Sequence, residues 1–168
     1  SGESNWHLMD TAIARIENAH KEGLVVHADR YPYLASGTSL SIILPEWSSA
    51  GGNAVLMATL NDPDKRARLI HELDHNKPRD WNTVMVGGAL DPEIRQLAGR
   101  TIAEIAADKG LTPGETMAWV LTADKGQTEA FFHGMCEKNL KLVYQQPWVM
   151  LGSDASLRSP TGPSGQSH

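Results

Sequence analysis

Two short apolar stretches, residues 24–29 and 148–151, each run directly into a polar loop, and a long stretch rich in helix signals separates them. No other feature constrains the fold as strongly. Before the first stretch, Leu8, Ala12, Ile13 and Ile16 recur at helical spacing, Ser4 or Asn5 stands where an N-cap belongs, and Gly23 supplies a stop. A helix, a glycine stop and a β-prone run make half of a βαβ unit, which predicts a parallel sheet whose strands are largely buried. Tyr31-Pro32-Tyr33 ends the first strand, because proline has no N–H for a ladder and restricts the residue before it. Gly152-Ser153-Asp154 ends the second. Ligands of α/β folds collect at the C-terminal ends of such strands, which places Asp29, Tyr31, Tyr33 and Asp154 on the functional rim.

Between the strands, residues 36–39 read as a polar loop, and helices are expected over 53–61, 63–75, 101–109 and 112–124. Asp62-Pro63, the capping box Thr101-Ile102-Ala103-Glu104 and the run Thr112-Pro113-Gly114-Glu115 mark three of the starts. Residues 83–86 suit a small strand, 130–132 form a short apolar stretch, and a last helix is expected over 137–145. The expected organisation is 1–44 as helix, strand and substrate loop, 45–126 as a mostly helical insertion, and 127–168 as final helix, strand and catalytic loop. The tail from Ser159 is Ser, Pro, Gly and Thr, which suits a flexible end or an active-site loop.

Composition removes several function classes. Of the 168 residues, 40% are hydrophobic and 21% charged, enough to build a packed core. The net charge of −5 is spread along the chain without a basic stripe, so nucleic acid is not an expected partner. No apolar run approaches the roughly 20 residues that cross a bilayer, so no membrane partner is expected either. The single cysteine, Cys136, makes an internal disulfide impossible and points to a reducing, cytoplasmic setting. In a helical neighbourhood without a partner, Cys136 reads as structural rather than nucleophilic.

The most conspicuous short pattern is His71-Glu72-Leu73-Asp74-His75, a match to H-E-x-x-H. On a helix it sets two imidazoles on one face with a glutamate beside them, the arrangement of zinc proteases. Asn76-Lys77-Pro78 breaks the helix at once and no third ligand follows, which favours a charged helix end. His27 alternates with Val25 and Asp29 and is either a metal ligand or, more often for such a position, a hydrogen-bonded core or interface histidine. Asp154 follows an apolar run and Gly152. A carboxylate placed there holds a metal or takes a proton from metal-bound water, or else it caps the next turn.

Read together, three segments resemble the N-acyl-D-amino-acid deacylases, or D-aminoacylases, of the amidohydrolase superfamily. They are Asn5-Trp6-His7-Leu8, Ala28-Asp29-Arg30-Tyr31-Pro32-Tyr33 and Pro147-Trp148-Val149-Met150-Leu151-Gly152-Ser153-Asp154. The run from Leu97-Ala98-Gly99-Arg100 through Thr101-Ile102-Ala103-Glu104-Ile105-Ala106 also looks like that family, and the likeness covers nearly the whole chain. The resemblance implies an α/β fold that is part of a TIM-like barrel, with the two strands as its seventh and eighth and the helical stretch as the insertion between them. It implies a zinc-dependent hydrolase that cleaves the amide of N-acyl-D-amino acids. Asp154 matches the general base and acid, or a ligand at a second metal position; Tyr33, or else Tyr31, matches the tyrosine that helps bind the substrate carboxylate, with Ser39 or Thr38 in the loop after it as a further contributor.

The departures carry equal weight. The family's early His-x-His pair, metal-binding cysteine, two later histidines and substrate lysine would precede Ser1, and an expected arginine would follow His168. Cys136 is not at the metal-binding cysteine's place. The expectation is therefore a late-barrel fragment, inactive alone and without tightly bound zinc, acting on a small-molecule substrate within a longer protein. Uncovered barrel edges would favour homo-oligomers. A cyclic-amide hydrolase of the dihydroorotase or hydantoinase type, and a non-catalytic interaction domain, are the competing readings.

Overall fold

The computed structural model describes residues 2–76 and 79–155. The tail from Ser159 and the Lys77-Pro78 helix stop lie outside them. The elements run α1 (Met9–Lys21), β1 (Ala28–Arg30), β2 (Ala35–Ser39), α2 (Glu46–Ser49), α3 (Asn53–Asn61) and α4 (Pro63–His75). They continue as β3 (Val84–Val86), α5 (Pro92–Arg95), α6 (Ile102–Lys109), α7 (Pro113–Ala123), β4 (Glu129–His133), α8 (Glu137–Tyr144) and β5 (Val149–Leu151). This mixed α/β chain forms two compact units, one from Gly2 to Ser36 together with His133 to Ala155, the other from Gly37 to Phe132.

In the first unit β1 and β5 pair in parallel, with Ala28 opposite Val149, Asp29 opposite Met150 and Arg30 opposite Leu151. Backbone bonds from Ala28 N–H to the Trp148 carbonyl (3.1 Å) and from Gly152 N–H to the Arg30 carbonyl (3.2 Å) extend the ladder at both ends. The parallel relation expected of the two apolar runs is thus present.

Two expectations for this unit need correction. The runs are not buried: Val25 is 85% and Leu151 70% exposed, and only Ala28–Arg30 of the first run is strand. A strand is buried on both faces only with sheet neighbours and a covering layer on each side, and each strand here has a single neighbour among the described residues. The second correction concerns the helix start. Ser4 and Asn5 do not cap it, because both lie inside a 310 stretch, Glu3–Leu8, that passes into α1. Trp6 secures that entry instead: its indole N–H donates to the Gly134 carbonyl (3.0 Å), and the Asn139 amide donates to the Trp6 carbonyl (2.8 Å). Gly23 follows α1 at φ 86, a backbone state glycine takes without a Cβ clash.

The second unit holds the hydrophobic core. Leu56, Leu69, Val84, Ile94, Ile102, Ile105, Met117 and Leu121 are essentially inaccessible, contributed by α3, α4, β3, α5, α6 and α7. The helix starts expected at 63, 101 and 112 are made as the sequence suggests. Asp62 accepts N–H bonds from Asp64 and Lys65, and Thr101 with Glu104 and Thr112 with Glu115 form reciprocal capping boxes. Accepting the Thr101 backbone N–H holds the Glu104 carboxyl below its ordinary range.

Residues 36–39, expected as loop, belong to β2. A three-stranded sheet runs β2-β4-β3, with β3 and β4 antiparallel and Met85 opposite Phe131. Small residues at 36–39 suit a strand beside an aromatic ring, since a Cβ on Gly37 would come within 3.2 Å of the Phe131 ring. Buried Asp124 accepts from the backbone N–H groups of Leu90 (2.8 Å) and Asp91 (2.7 Å) and from the Thr128 hydroxyl (2.8 Å), tying the loop before α5 to the segment between α7 and β4.

Candidate active-site rim

The rim of the first unit is the C-terminal end of the β1–β5 pair. Asp29 faces Gly152 across it: a Cβ added to Gly152 would sit 3.4 Å from the Asp29 Cβ. Absence of a side chain at 152 therefore leaves room between the strand tips. Beyond Gly152 the chain turns away from the ladder. The Ser153 hydroxyl accepts the Ala155 N–H (3.2 Å), and Asp154 between them has φ 52, in the left-handed region that aspartate tolerates better than most residues. Asp154 is exposed, and among the described residues no side chain bonds to it.

The other side of the rim is the Arg30-Tyr31-Pro32-Tyr33 turn, whose organiser is Arg30. Its guanidinium lies 4.0 Å from the Tyr31 ring centre, donates to the Tyr33 carbonyl (3.2 Å) and also contacts the Met135 sulfur. The Tyr144 hydroxyl, from the end of α8, donates to the Arg30 carbonyl (2.6 Å). The Tyr31 and Tyr33 rings stack 6.1 Å apart at 30°, with Tyr31 half-buried and Tyr33 exposed. The structure thus gathers Asp29, Tyr31 and Tyr33 with the Asp154 turn in one unit.

Ser39 belongs to the other unit. There it caps the 310 turn Leu40–Ile43, accepting the Ser41 N–H, and lines an open hollow of about 590 Å³ with Ser41, Glu46, Ser49 and Asn53. Arg30, Tyr144 and Met135 were not singled out from the sequence. Arg30 stands at the variable position of the Ala-Asp-x-Tyr-Pro-Tyr segment, and nothing local to residues 135 or 144 announces contacts with residue 30.

The remaining candidates are placed as follows. His27 is exposed, in line with exposed Val25 and Asp29, so within this chain it is not a core histidine. Cys136 is half-buried at the start of α8, where its side chain makes no cap bond. In α4, Glu72 accepts from the Trp47 indole N–H (3.0 Å) and from Arg68 (2.8 Å), and these two donors hold its carboxyl below its ordinary range. A glutamate so engaged is not available as a general base. Asp74 accepts the Gly114 N–H (2.7 Å). Among the described residues no three His, Cys, Asp or Glu side chains converge as a metal site, so they do not by themselves fit a zinc ion held by about three protein ligands. No helix of the described residues is long and apolar enough to cross a membrane.

No protein-family profile matches the chain, and no curated protein matches it in sequence. In fold it is similar to solved deacylase structures. One is an N-acyl-D-glutamate deacylase from Bordetella bronchiseptica, complexed with zinc and a phosphonate that mimics the tetrahedral intermediate (TM-score 0.56, 22% identity, 91% of this chain and 24% of that one). Another is a D-aminoacylase described as defining a novel subset of amidohydrolases (TM-score 0.50, 21% identity, 91% and 24%). A third is a D-aminoacylase with a binuclear metal centre (TM-score 0.50, 22% identity, 91% and 24%). The chain spans about a quarter of the length of each of these structures.

Proposed function

We propose that this chain is the seventh-to-eighth-strand part of a zinc-dependent amidohydrolase barrel that cleaves N-acyl-D-amino acids. In this reading β1 and β5 are those two strands, residues 45–126 are the insertion between them, and the metal ligands belong to the remainder of the protein. The observation that carries the proposal is the parallel β1–β5 pair with Gly152 closing its ladder and Asp154 turning out at its C-terminal end. Similarity in fold to three deacylases over nine-tenths of the chain supports it.

The chemistry assigned to this chain is proton transfer and substrate binding. The Asp154 carboxylate takes a proton from the attacking water as the oxygen bonds to the acyl carbon. It returns that proton to the amide nitrogen as the C–N bond breaks, leaving a carboxylic acid and a free amine. Tyr33, with Tyr31 beside it, donates hydroxyl hydrogen bonds to the substrate carboxylate, and Arg30 holds the tyrosine turn in shape.

The test uses the longer protein that contains this chain, assayed on N-acetyl-D-amino acids. Asp154→Asn should lower kcat by about 10²–10⁴-fold, the usual worth of a positioned acid–base group, with KM little changed. Retained kcat would remove Asp154 from the mechanism. The 168-residue chain alone should show no turnover; hydrolysis by it would refute the division of the site.

A further inference from the structure

The last turn of α4 carries a pair of side chains that neither the core nor the proposed hydrolysis uses. His71 and His75 are both exposed, and their rings stack with centres 4.5 Å apart and planes within 20° of parallel. The His75 Nδ1 lies 3.0 Å from the His71 carbonyl oxygen. A carbonyl only accepts, so this nitrogen carries the proton and Nε2 of the neutral ring is left with its lone pair. Metal-binding imidazoles are held in just this way, one N–H given to a carbonyl and the other nitrogen presented to the ion. His71 occupies the same helix face one turn earlier. In the stack the two in-plane lone pairs run side by side, so a shared ion is reached when the exposed His71 ring, which no described residue hydrogen-bonds, turns about its side chain out of the stack.

We propose that His71 and His75 form a surface site for a first-row divalent transition-metal ion such as Zn²⁺, Ni²⁺ or Cu²⁺, held by two imidazole nitrogens with water completing the shell. Imidazole selects these ions over Mg²⁺ and Ca²⁺, which prefer oxygen ligands. The neighbouring acids do not take part: Glu72 is bonded to Trp47 and Arg68, and Asp74 to the Gly114 N–H. The site therefore binds without the free glutamate a zinc protease requires, and it is independent of any metal served by Asp154. By bridging residues 71 and 75, the ion clamps the final turn of α4 in its helical form. Cu²⁺ binds most tightly of the three, following the general order for nitrogen sites.

The test is titration of the full chain, stripped with chelator, with Zn²⁺ and Ni²⁺ by calorimetry and with Cu²⁺ by electron paramagnetic resonance. One ion per chain and a two-nitrogen Cu²⁺ coupling pattern are expected. His71→Ala and His75→Ala should each weaken binding by at least about tenfold, the low end of what loss of even an outer-shell partner costs. A variant exchanging the neighbours, His75→Asn with Asn76→His, keeps both imidazoles but moves one off the face, and should lose as much. His7→Gln serves as a control and should lose nothing. Unweakened binding in the exchanged variant, a one-nitrogen pattern, or affinity untouched by His71→Ala would overturn the proposal.

Discussion

Trp148 is the one apolar side chain of the first unit that is buried among the described residues, at 7% exposure, and that makes Trp148→Ala a sharp perturbation. Its ring stands edge-on to His20 at 6.2 Å, and its carbonyl accepts the Ala28 N–H that begins the β1–β5 ladder. Truncating a buried tryptophan costs about 3–5 kcal/mol. With tenfold per 1.4 kcal/mol, that is roughly a 10²- to 10³·⁵-fold loss of protection, capped by the unit's own opening free energy. The second unit should be indifferent, since its core draws no residue from the first. Amide hydrogen exchange reads both at once: protection at 28–30 and 149–152 should collapse, while that at 84–86 and 117–121 stays within about twofold, a change below 0.5 kcal/mol. Equal losses in both units, or unchanged exchange at the β1–β5 pair, would show that the strand tips are held by something other than this ring.

Two further outcomes follow from single carboxylates. Asp124→Ala leaves three donors without their acceptor, two backbone N–H groups and one hydroxyl, and at about 1–3 kcal/mol each should approach the whole stability of the second unit. Asp124→Asn keeps an oxygen for the Leu90 and Asp91 N–H groups and lets Thr128 accept from the amide, so chemical denaturation should show a loss of only about 1–2 kcal/mol, the charge-assisted part; equal costs would refute this division. Glu72 titrates below its ordinary 4.5 because Trp47 and Arg68 bond to its charged form. Its stabilising effect is complete above pH 4.5 and fades as pH falls through the depressed folded value. Trp47→Phe should flatten the acid limb of a melting-temperature profile below pH 4.5, and an unaltered limb would count against the assignment.

Local chemistry made much of the second unit legible. The helix starts at Pro63, Ile102 and Pro113 follow from a side chain that satisfies orphan N–H groups one turn on, which needs no knowledge of the rest of the chain. The parallel pairing of β1 with β5 was legible from Gly23 and the two apolar runs. Burial of those runs was not, since period and hydrophobicity report what a strand is suited to touch, not whether a neighbour is there to be touched. Residues 36–39 misled for a related reason. Ser, Gly and Thr are loop residues on propensity alone, yet Gly37 is needed where the Phe131 ring crosses β2. At the rim, Asp154 was visible because a glycine and an apolar run precede it, whereas the contacts of Arg30 with residues 135 and 144 arise only when distant segments meet.

The division of labour between the units bears on how the rim is held. Asp154, Tyr31 and Tyr33, the residues proposed for proton transfer and substrate binding, lie in the unit with almost no core of its own, while Ser39 and the His71–His75 pair lie in the core-rich unit. Contacts in the rim unit are accordingly polar and specific: Trp6 to Gly134, His20 to the Val26 carbonyl (2.8 Å), Tyr144 to Arg30. Hydrogen bonds of this kind contribute about 0.5–1.5 kcal/mol each net of solvent competition, far less per residue than a buried leucine. They fix direction better than they resist opening. A β1–β5 pair held by so few contacts, with Val25, Met150 and Leu151 facing outward, gains stability from any surface that covers those side chains. The left-handed turn at Asp154, by contrast, is spanned within the loop itself by the Ala155 N–H bond to the Ser153 hydroxyl. The direction of the proposed acid is therefore encoded locally, while the firmness of its support is left to packing on the exposed strand faces.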